Sequence, residues 1–483
     1  MNKPMDATIQ VEAPVSRRLS IGQKLLFGSG QVVEASITFV AATFLLYYLT
    51  NVCGLDPAVA GMVLFVSLVV DAIADPLIGS ASDRLKSRWG RRLPFMIAAL
   101  PILTVAGCAL FMIPTGYGSK VTLACALAAN IVLRLGTSCY ALPYSSLTAE
   151  LTSDYNERSS IAAYRALFNF VGAVACVMPA FQLIFNAPGQ MSSAPAYAKL
   201  GLLLAGVVLV AGLICVAGIW KIAAPRTMHE VEIAAQHKSV ASDVRDLLRN
   251  RSFVLLFVIV LVFLIASGSL QALNLYVYKY YWHLAPDQTQ SSVLALQIGG
   301  LIGIPIAALM LKKMEKRTVM IIGILIVILA QGLPWPLREA GLLVGVPHIT
   351  VVCSMSAGFG LSSAMLFICA QSMLADAIDE HEHLFGTRCE GLYYSSVVFA
   401  SKAAVGIGSL LAGVMLAAVG LKGAENAITS PQLSESSAQI LAMLWGPGHA
   451  LLFLIVIPLL MGYRIDRKEH NRIIAALAAR HSN

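Results

Sequence analysis

The reading of the chain turns on PAVAGMVLFVSLVVDAIADPLIGSASDRLKSRWGRRLP, residues 57–94. Its first part is apolar over a length that crosses a bilayer, because a helix needs about 20 apolar residues to span the hydrocarbon core. Asp71 and Asp75 interrupt that run, and Arg84, Lys86, Arg88, Arg91 and Arg92 close it. A span ended by a basic turn is a membrane helix whose exit faces the cytoplasm. The remainder of the 483 residues carries the same signature: hydrophobic residues make up 58% and charged residues 12%, where soluble domains run at about 25% charged. Mean hydropathy is +0.76. Such a composition cannot clothe a water-facing surface. It excludes a soluble enzyme, a disordered chain and a nucleic-acid binder, and it makes the net charge of +8 a matter of sidedness.

Apolar runs lie near 25–50, 57–82, 93–114, 120–147, 160–184, 198–220, 251–282, 289–311, 317–337, 347–378, 391–420 and 438–463, which predicts an all-α polytopic membrane protein of about 12 helices. With the N-terminus inside, the inner side collects nearly all the basic residues outside the spans. They include Lys3, Arg17, Arg18 and Lys24, the 84–92 turn, Lys312, Lys313, Lys316 and Arg317, and Arg464, Arg467 and Lys468. The outer side receives only Lys120, Lys199, Arg338 and Lys422. Both termini are therefore expected in the cytoplasm. The longest polar stretch between spans divides them six and six, the layout of transporters built from structural repeats. The expected units are an N-terminal tail over 1–24, a six-helix bundle over 25–220, a linker over 221–250, a second bundle over 251–463 and a tail over 464–483. The basic turn LKKMEKR after the eighth span mirrors the one after the second.

Seven charges fall within the spans: Glu34, Asp71, Asp75, Arg134, Arg165, Lys279 and Lys402. Each costs about 2.5–3.5 kcal/mol at mid-membrane if it faces lipid, so each should face a cavity or a partner. Asp71 and Asp75 lie one helical turn apart on one face. Two carboxylates so close in a low dielectric cannot both stay ionised without a cation, so the pair is a cation or proton site. Lys402, mid-span in the eleventh run, needs an anionic partner, and the aspartate pair is the best chemical match. Structural alternatives are ion pairing within the bundle for Arg134 and an interfacial position for Lys279. In the basic turn, Asp83, Arg84, Arg88, Arg91 and Arg92 can bind helix ends and acidic groups in one conformation and release them in another, a gating role. The same cluster can equally serve as a topology signal.

Three stretches resemble the glycoside-pentoside-hexuronide:cation symporters of the major facilitator superfamily: DAIADPLIGSASDRLKSRWGRRLP at 71–94, ALPYSSLTAELTSDYNERSSIAAYR at 141–165 and MLADAIDEHEHLFGTRCEGLYYS at 373–395. The resemblance implies the major facilitator fold and coupling of solute uptake to a proton or sodium ion, with no other cofactor. It gives Asp71 and Asp75 the part of coupling carboxylates and the only metal site, for a possible sodium. It also gives Ser138 the part of a hydroxyl ligand, Lys402 that of a lysine beside the cation, and Arg165 that of an arginine bordering the solute.

This chain departs from the family's melibiose-carrying type. The amide ligand falls on Ala74, which weakens the case for sodium. The two acids that hold the galactoside fall on Ala35 and Ala141, and the sugar-packing tryptophan falls on Ser145. A saccharide would have to be held by other groups, of which Glu34, Arg165, Tyr140, Gln31 and Gln371 are the candidates. Asn169, Gln271 and Asn274 are further polar residues in spans, and all of them have an alternative reading as interhelical hydrogen bonds. Glu34 has a second possibility, pairing with Arg134 or Arg165.

The leading expectation is a cation-coupled symporter importing a sugar or glycoside by alternating access. The alternative is a carrier of lysophospholipid or another amphiphile; a sensor or an intramembrane enzyme ranks below both. The motifs H-E-x-x-H, G-x-S-x-G and G-K-[ST] are missing in usable contexts, so an enzyme is not expected. The segment from Asp376 to His383 contains enough Asp, Glu and His to bind a metal, but reads first as a solvated cytoplasmic loop. The nine Cys form no CxxC pair and read as small buried hydrophobes. The expected setting is the bacterial inner membrane, the first helix being retained as a span, with the protein a monomer whose partners are a small solute and the bilayer.

Overall fold

The computed structural model describes residues 19–85, 87, 89–114, 116–151, 155–187, 189–223, 240–387, 389–421 and 433–481. Twelve helices are long and apolar enough to cross a membrane. They are α1 (Ile21–Asn51), α2 (Pro57–Arg84), α3 (Leu93–Leu110), α4 (Ser119–Thr148), α5 (Ser160–Ile184), α6 (Ala194–Trp220), α7 (Arg251–Tyr280), α8 (Pro286–Lys313), α9 (Lys316–Glu339), α10 (His348–Phe385), α11 (Glu390–Ala418) and α12 (Glu435–Met461).

Local chemistry explains where they begin. Ser20 forms a capping box with Gln23 at the start of α1. Asp56 accepts from the Ala58 amide at 2.9 Å, with Pro57 at the first helical position of α2. Asn250 accepts from the Phe253 amide at the start of α7. Each supplies an acceptor to an amide that has no partner inside its helix.

Within the first half α1 packs on α5 and α6, α3 on α4 and α6, and α2 on α4; within the second α8 packs on α10, α9 on α10 and α7 on α11. The halves meet where α2 packs antiparallel on α11, α1 on α7 and α5 on α8. The α2–α11 contact is close because both helices place glycine there. A Cβ on Gly413 would stand 2.3 Å from the Pro57 carbonyl oxygen, and one on Gly61 would stand 2.9 Å from the Ser409 carbonyl oxygen. Farther along the pair, Gly406 lies against Leu68. Twelve antiparallel crossings put both ends of the described chain on one face, and these contacts begin at the opposite face.

That opposite face is sealed between halves by polar and aromatic groups. Thr50 and Tyr276 share a 2.5 Å hydrogen bond, Tyr280 donates to Asn51, and Lys279 donates to the Tyr47 hydroxyl at 2.7 Å. The Lys279 ammonium also lies 5.4 Å from the Tyr47 ring centre and 5.1 Å from that of Tyr280, a cation–π arrangement.

Three segments differ from their expected character. The Asp376–His383 segment is the end of α10 rather than a solvated loop, with Asp376 and His381 buried. Asp376 is buried because Lys316 donates to both its oxygens, at 2.7 and 2.6 Å. The stretch expected as a C-terminal tail contains a helix, Arg467–His481. That helix buries Ile473 and Leu477, and it is tied down by Arg467, which donates to the Leu311 carbonyl at 2.7 Å, and by His470, 3.5 Å from Asp376. Part of the expected linker is likewise helical, over Val240–Arg249.

Candidate functional site

Six of the seven charges predicted within the spans fall into two groups. The first group lies where α2, α4 and α11 come together. Asp71, buried on α2, accepts from the Ser138 hydroxyl at 2.6 Å through Oδ1 and from Lys402 Nζ at 3.0 Å through Oδ2. Lys402 also donates to Asp75 Oδ2, so one ammonium bridges both carboxylates. The other Asp75 oxygen is buried without a hydrogen-bond partner. Pro76 continues α2 directly after Asp75, and its ring removes a backbone hydrogen bond from that turn. Arg134 stands one turn before Ser138 on α4, with its Nε buried and without a hydrogen-bond partner.

The ammonium occupies the place between two carboxylates that a monovalent cation would take. Two oxygens from acids, a hydroxyl from Ser138 and the unpartnered Asp75 oxygen form a donor set suited to a proton or a hard cation. Lys402 offsets one of the pair's two negative charges as arranged here. Ala74 contributes no oxygen.

The second group joins α1, α4 and α5. Arg165 donates from Nε and Nη2 to Gln31 Oε1 at 3.1 and 2.9 Å, from Nη1 to Thr148 at 3.1 Å, and from Nη2 to Ser145 at 3.3 Å. Its guanidinium lies 4.8 Å from the Tyr144 ring centre. Gln31 in turn donates from Nε2 to Glu34 at 3.1 Å. Among the described residues Glu34 thus reaches Arg165 through Gln31, without a direct pairing with Arg134 or Arg165. Gln31, Glu34 and Arg165 are all half-buried, which leaves part of the group open to a solute.

Other sequence candidates lie elsewhere. Tyr140 is wholly buried, with its hydroxyl against Gly30 and its ring 5.9 Å from that of Tyr144. It supports α1 from behind and does not join the polar group. Gln371 sits half-buried on α10 in the other half, without a hydrogen bond among the described residues. Asn274 accepts from the Trp445 indole at 2.9 Å, an interhelical bond.

In the basic turn, Arg92 pairs with Asp83 and donates to Ser82 at 2.7 Å. All three belong to the first half. Arg84 is exposed, Arg91 is half-buried, and Arg88 lies outside the described residues. Thr148 and Tyr144 were missed as Arg165 partners, although both stand at helical spacing from Tyr140, Ala141 and Ser145 on α4. The seventh charge, Lys279, is the cation of the seal described above.

A fold of two six-helix halves with buried charges at their contact defines a membrane transporter. The chain belongs to the family described as MFS/sugar transport protein, whose profile it matches over residues 26–467. It is similar to the isoprimeverose transporter of Lactiplantibacillus pentosus, 28% identical with 79% of this chain and 77% of that protein covered. It is also similar to the sodium-dependent lysophosphatidylcholine symporter 1 of Mus musculus, 25% identical with 83% of this chain and 78% of that protein covered. A solved bacterial homologue of the human lysosomal transporter Spinster shares the fold, with a TM-score of 0.61 at 12% identity, covering 92% of this chain and 98% of that one.

Proposed function

We propose that the protein is a cation-coupled symporter that carries a sugar or glycoside into the cell by alternating access, with a proton or sodium ion as the coupling ion. The observation that carries this reading is the single ammonium of Lys402 held by both Asp71 and Asp75 across the contact between halves. An ion arriving at the carboxylates competes with Lys402, and Lys402 belongs to the other half. Ion binding and the relative position of the halves are thereby linked, which is the requirement for coupling.

The solute would bind at Glu34, Gln31 and Arg165, whose carboxylate, amide and guanidinium offer acceptors and donors to neighbouring hydroxyls. Tyr144, wholly buried on α4 with its ring stacked on Phe27 and beneath the guanidinium, holds Arg165 in position for that solute. With the termini in the cytoplasm of a bacterial inner membrane, as the distribution of basic residues supports, the Lys279 seal closes the outer end. The arrangement described is then the one that releases solute inward, and the protein functions as a monomer.

A second reading, a lysophospholipid or similar amphiphile, is favoured by Ala35, Ala141 and Ser145 at the positions where melibiose-like recognition needs acids and an aromatic ring. Counterflow in proteoliposomes loaded with unlabelled compound separates the two: exchange with sugars or glycosides supports the first, and exchange with lysolipids alone replaces it. Absence of exchange with either class removes the carrier reading. Asp75→Asn tests the coupling: the variant should exchange solute but lose accumulation driven by a cation gradient at least tenfold. Intact accumulation would place the coupling site elsewhere.

A further inference from the structure

Four charges share the α2–α4–α11 contact: Asp71 and Asp75 from α2, Arg134 from α4 and Lys402 from α11. Arg134 is the one whose work the coupling scheme leaves unassigned. It stands one turn before Ser138, the residue that donates to Asp71. Its Nε is buried without a hydrogen-bond partner, and no carboxylate lies within ion-pair distance of it among the described residues. Ser138, one turn away, donates to Asp71 at 2.6 Å, which puts Arg134 on the stretch of α4 that packs against this carboxylate. A guanidinium does not lose its proton in a protein, so this is a permanent positive charge held near a carboxylate without touching it.

Two negative and two positive charges make the cluster neutral before any ion arrives. We infer that Arg134 is a resident cation that sets the affinity of the coupling site, so that a proton or sodium ion binds only as Lys402 leaves the carboxylates. Without Arg134 the aspartates and Lys402 would carry one net negative charge, and one monovalent cation would complete the balance in place. With Arg134 the same addition leaves a net positive charge in a low dielectric, which is costly. Lys402 can relieve it, because its stem is flexible and its side chain is already 27% exposed. Arg134, held on α4, cannot. Ion affinity is thereby weakened, and ion binding is tied to release of the contact between halves.

This inference rests on the reading of Asp71 and Asp75 as the coupling site. The test uses full-length purified protein and the ions themselves as probes. Melting temperature is followed against sodium at pH 8, with choline as the replacement ion, and against pH without sodium. A unit charge several ångströms away at an effective dielectric constant of about 20 is worth more than tenfold in a binding constant. Arg134→Gln should therefore lower the half-effect concentration of sodium, or of protons, at least tenfold, while Arg134→Lys stays near the parent. An unchanged or weaker affinity in a folded Arg134→Gln protein overturns the inference. If that variant does not fold, Arg134→His replaces it, and its ion affinity should rise with pH more steeply than the parent's; parallel profiles overturn the inference. If neither parent nor variant responds to either ion, the coupling-site reading itself fails, and this inference with it.

Discussion

Lys402 and Asp71 stand 331 positions apart in the chain and meet at 3.0 Å, and the same ammonium reaches Asp75. Removing Lys402 leaves two carboxylates one turn apart without their counter-ion. Breaking a buried pair in this way costs about 3–5 kcal/mol when burial is complete, and less here because Lys402 is partly exposed. Lys402→Gln should melt several degrees lower than the parent in ion-poor buffer, and the coupling ion should restore most of the difference. A melting temperature equal to the parent's in ion-poor buffer would mean that the bridge carries little weight.

Ser138 donates to Asp71 through a 2.6 Å bond. A hydrogen bond to a carboxylate contributes about 1.5–3 kcal/mol, and it favours the ionised form. In Ser138→Ala, uptake should need roughly tenfold more sodium where sodium is the coupling ion, or stay proton-driven to higher pH where a proton is, whereas half-saturation for solute in counterflow should stay within about twofold. A change confined to the solute would move Ser138 out of the ion site.

Gln31 bridges Glu34 and Arg165. Gln31→Leu removes the amide that accepts from Arg165 and donates to Glu34, and frees Arg165 to reorient. The expected result is a rise of roughly tenfold in the solute concentration for half-maximal counterflow, with the ion-to-solute ratio unchanged. Wild-type half-saturation in this variant would separate the α1–α4–α5 group from solute recognition.

Gly413 and Pro57 set how closely α2 and α11 approach at the sealed face. The γ-methyls and Cβ of Gly413→Val would collide with the Pro57 carbonyl, where even a Cβ would lie at 2.3 Å. The sealed arrangement should become inaccessible and uptake should fall at least tenfold in a protein that still inserts. Cys53, just beyond α1, should label faster with a membrane-impermeant maleimide, and that gain should vanish in Cys53→Ser. Unchanged labelling with normal uptake would contradict the seal.

Asp376 depends on Lys316. Lys316→Met leaves the buried carboxylate with His470 at 3.5 Å in place of an ammonium, and should lower the melting temperature more than Asp376→Asn does, since a neutral amide costs less to bury than a poorly paired charge. Equal effects from the two variants would argue that the pair is dispensable.

Membrane residence, the number of spans and the seven charges inside them were legible in the sequence, because hydropathy over about 20 residues is a local property. The aspartate pair was legible as well: a turn of helix puts positions 71 and 75 on one face whatever surrounds them. The match of Lys402 to that pair followed from charge balance, since one unpaired ammonium and one pair of acids stand out against so few other charges.

Rotation of each helix about its axis, 100° per residue, is set by packing between helices distant in the chain, and there the sequence was silent. Only the tertiary structure put Gln31 between Glu34 and Arg165, turned the Tyr140 hydroxyl onto Gly30, and brought Lys279 over two tyrosines at the seal. The end of α10 shows the same limit from the other side. Its acids and histidines read as a solvated loop because their polarity is local, whereas the Lys316 ammonium and the Arg467–His481 helix that let them be buried come from elsewhere in the chain. Polarity states what a residue needs, and the fold decides which partner supplies it.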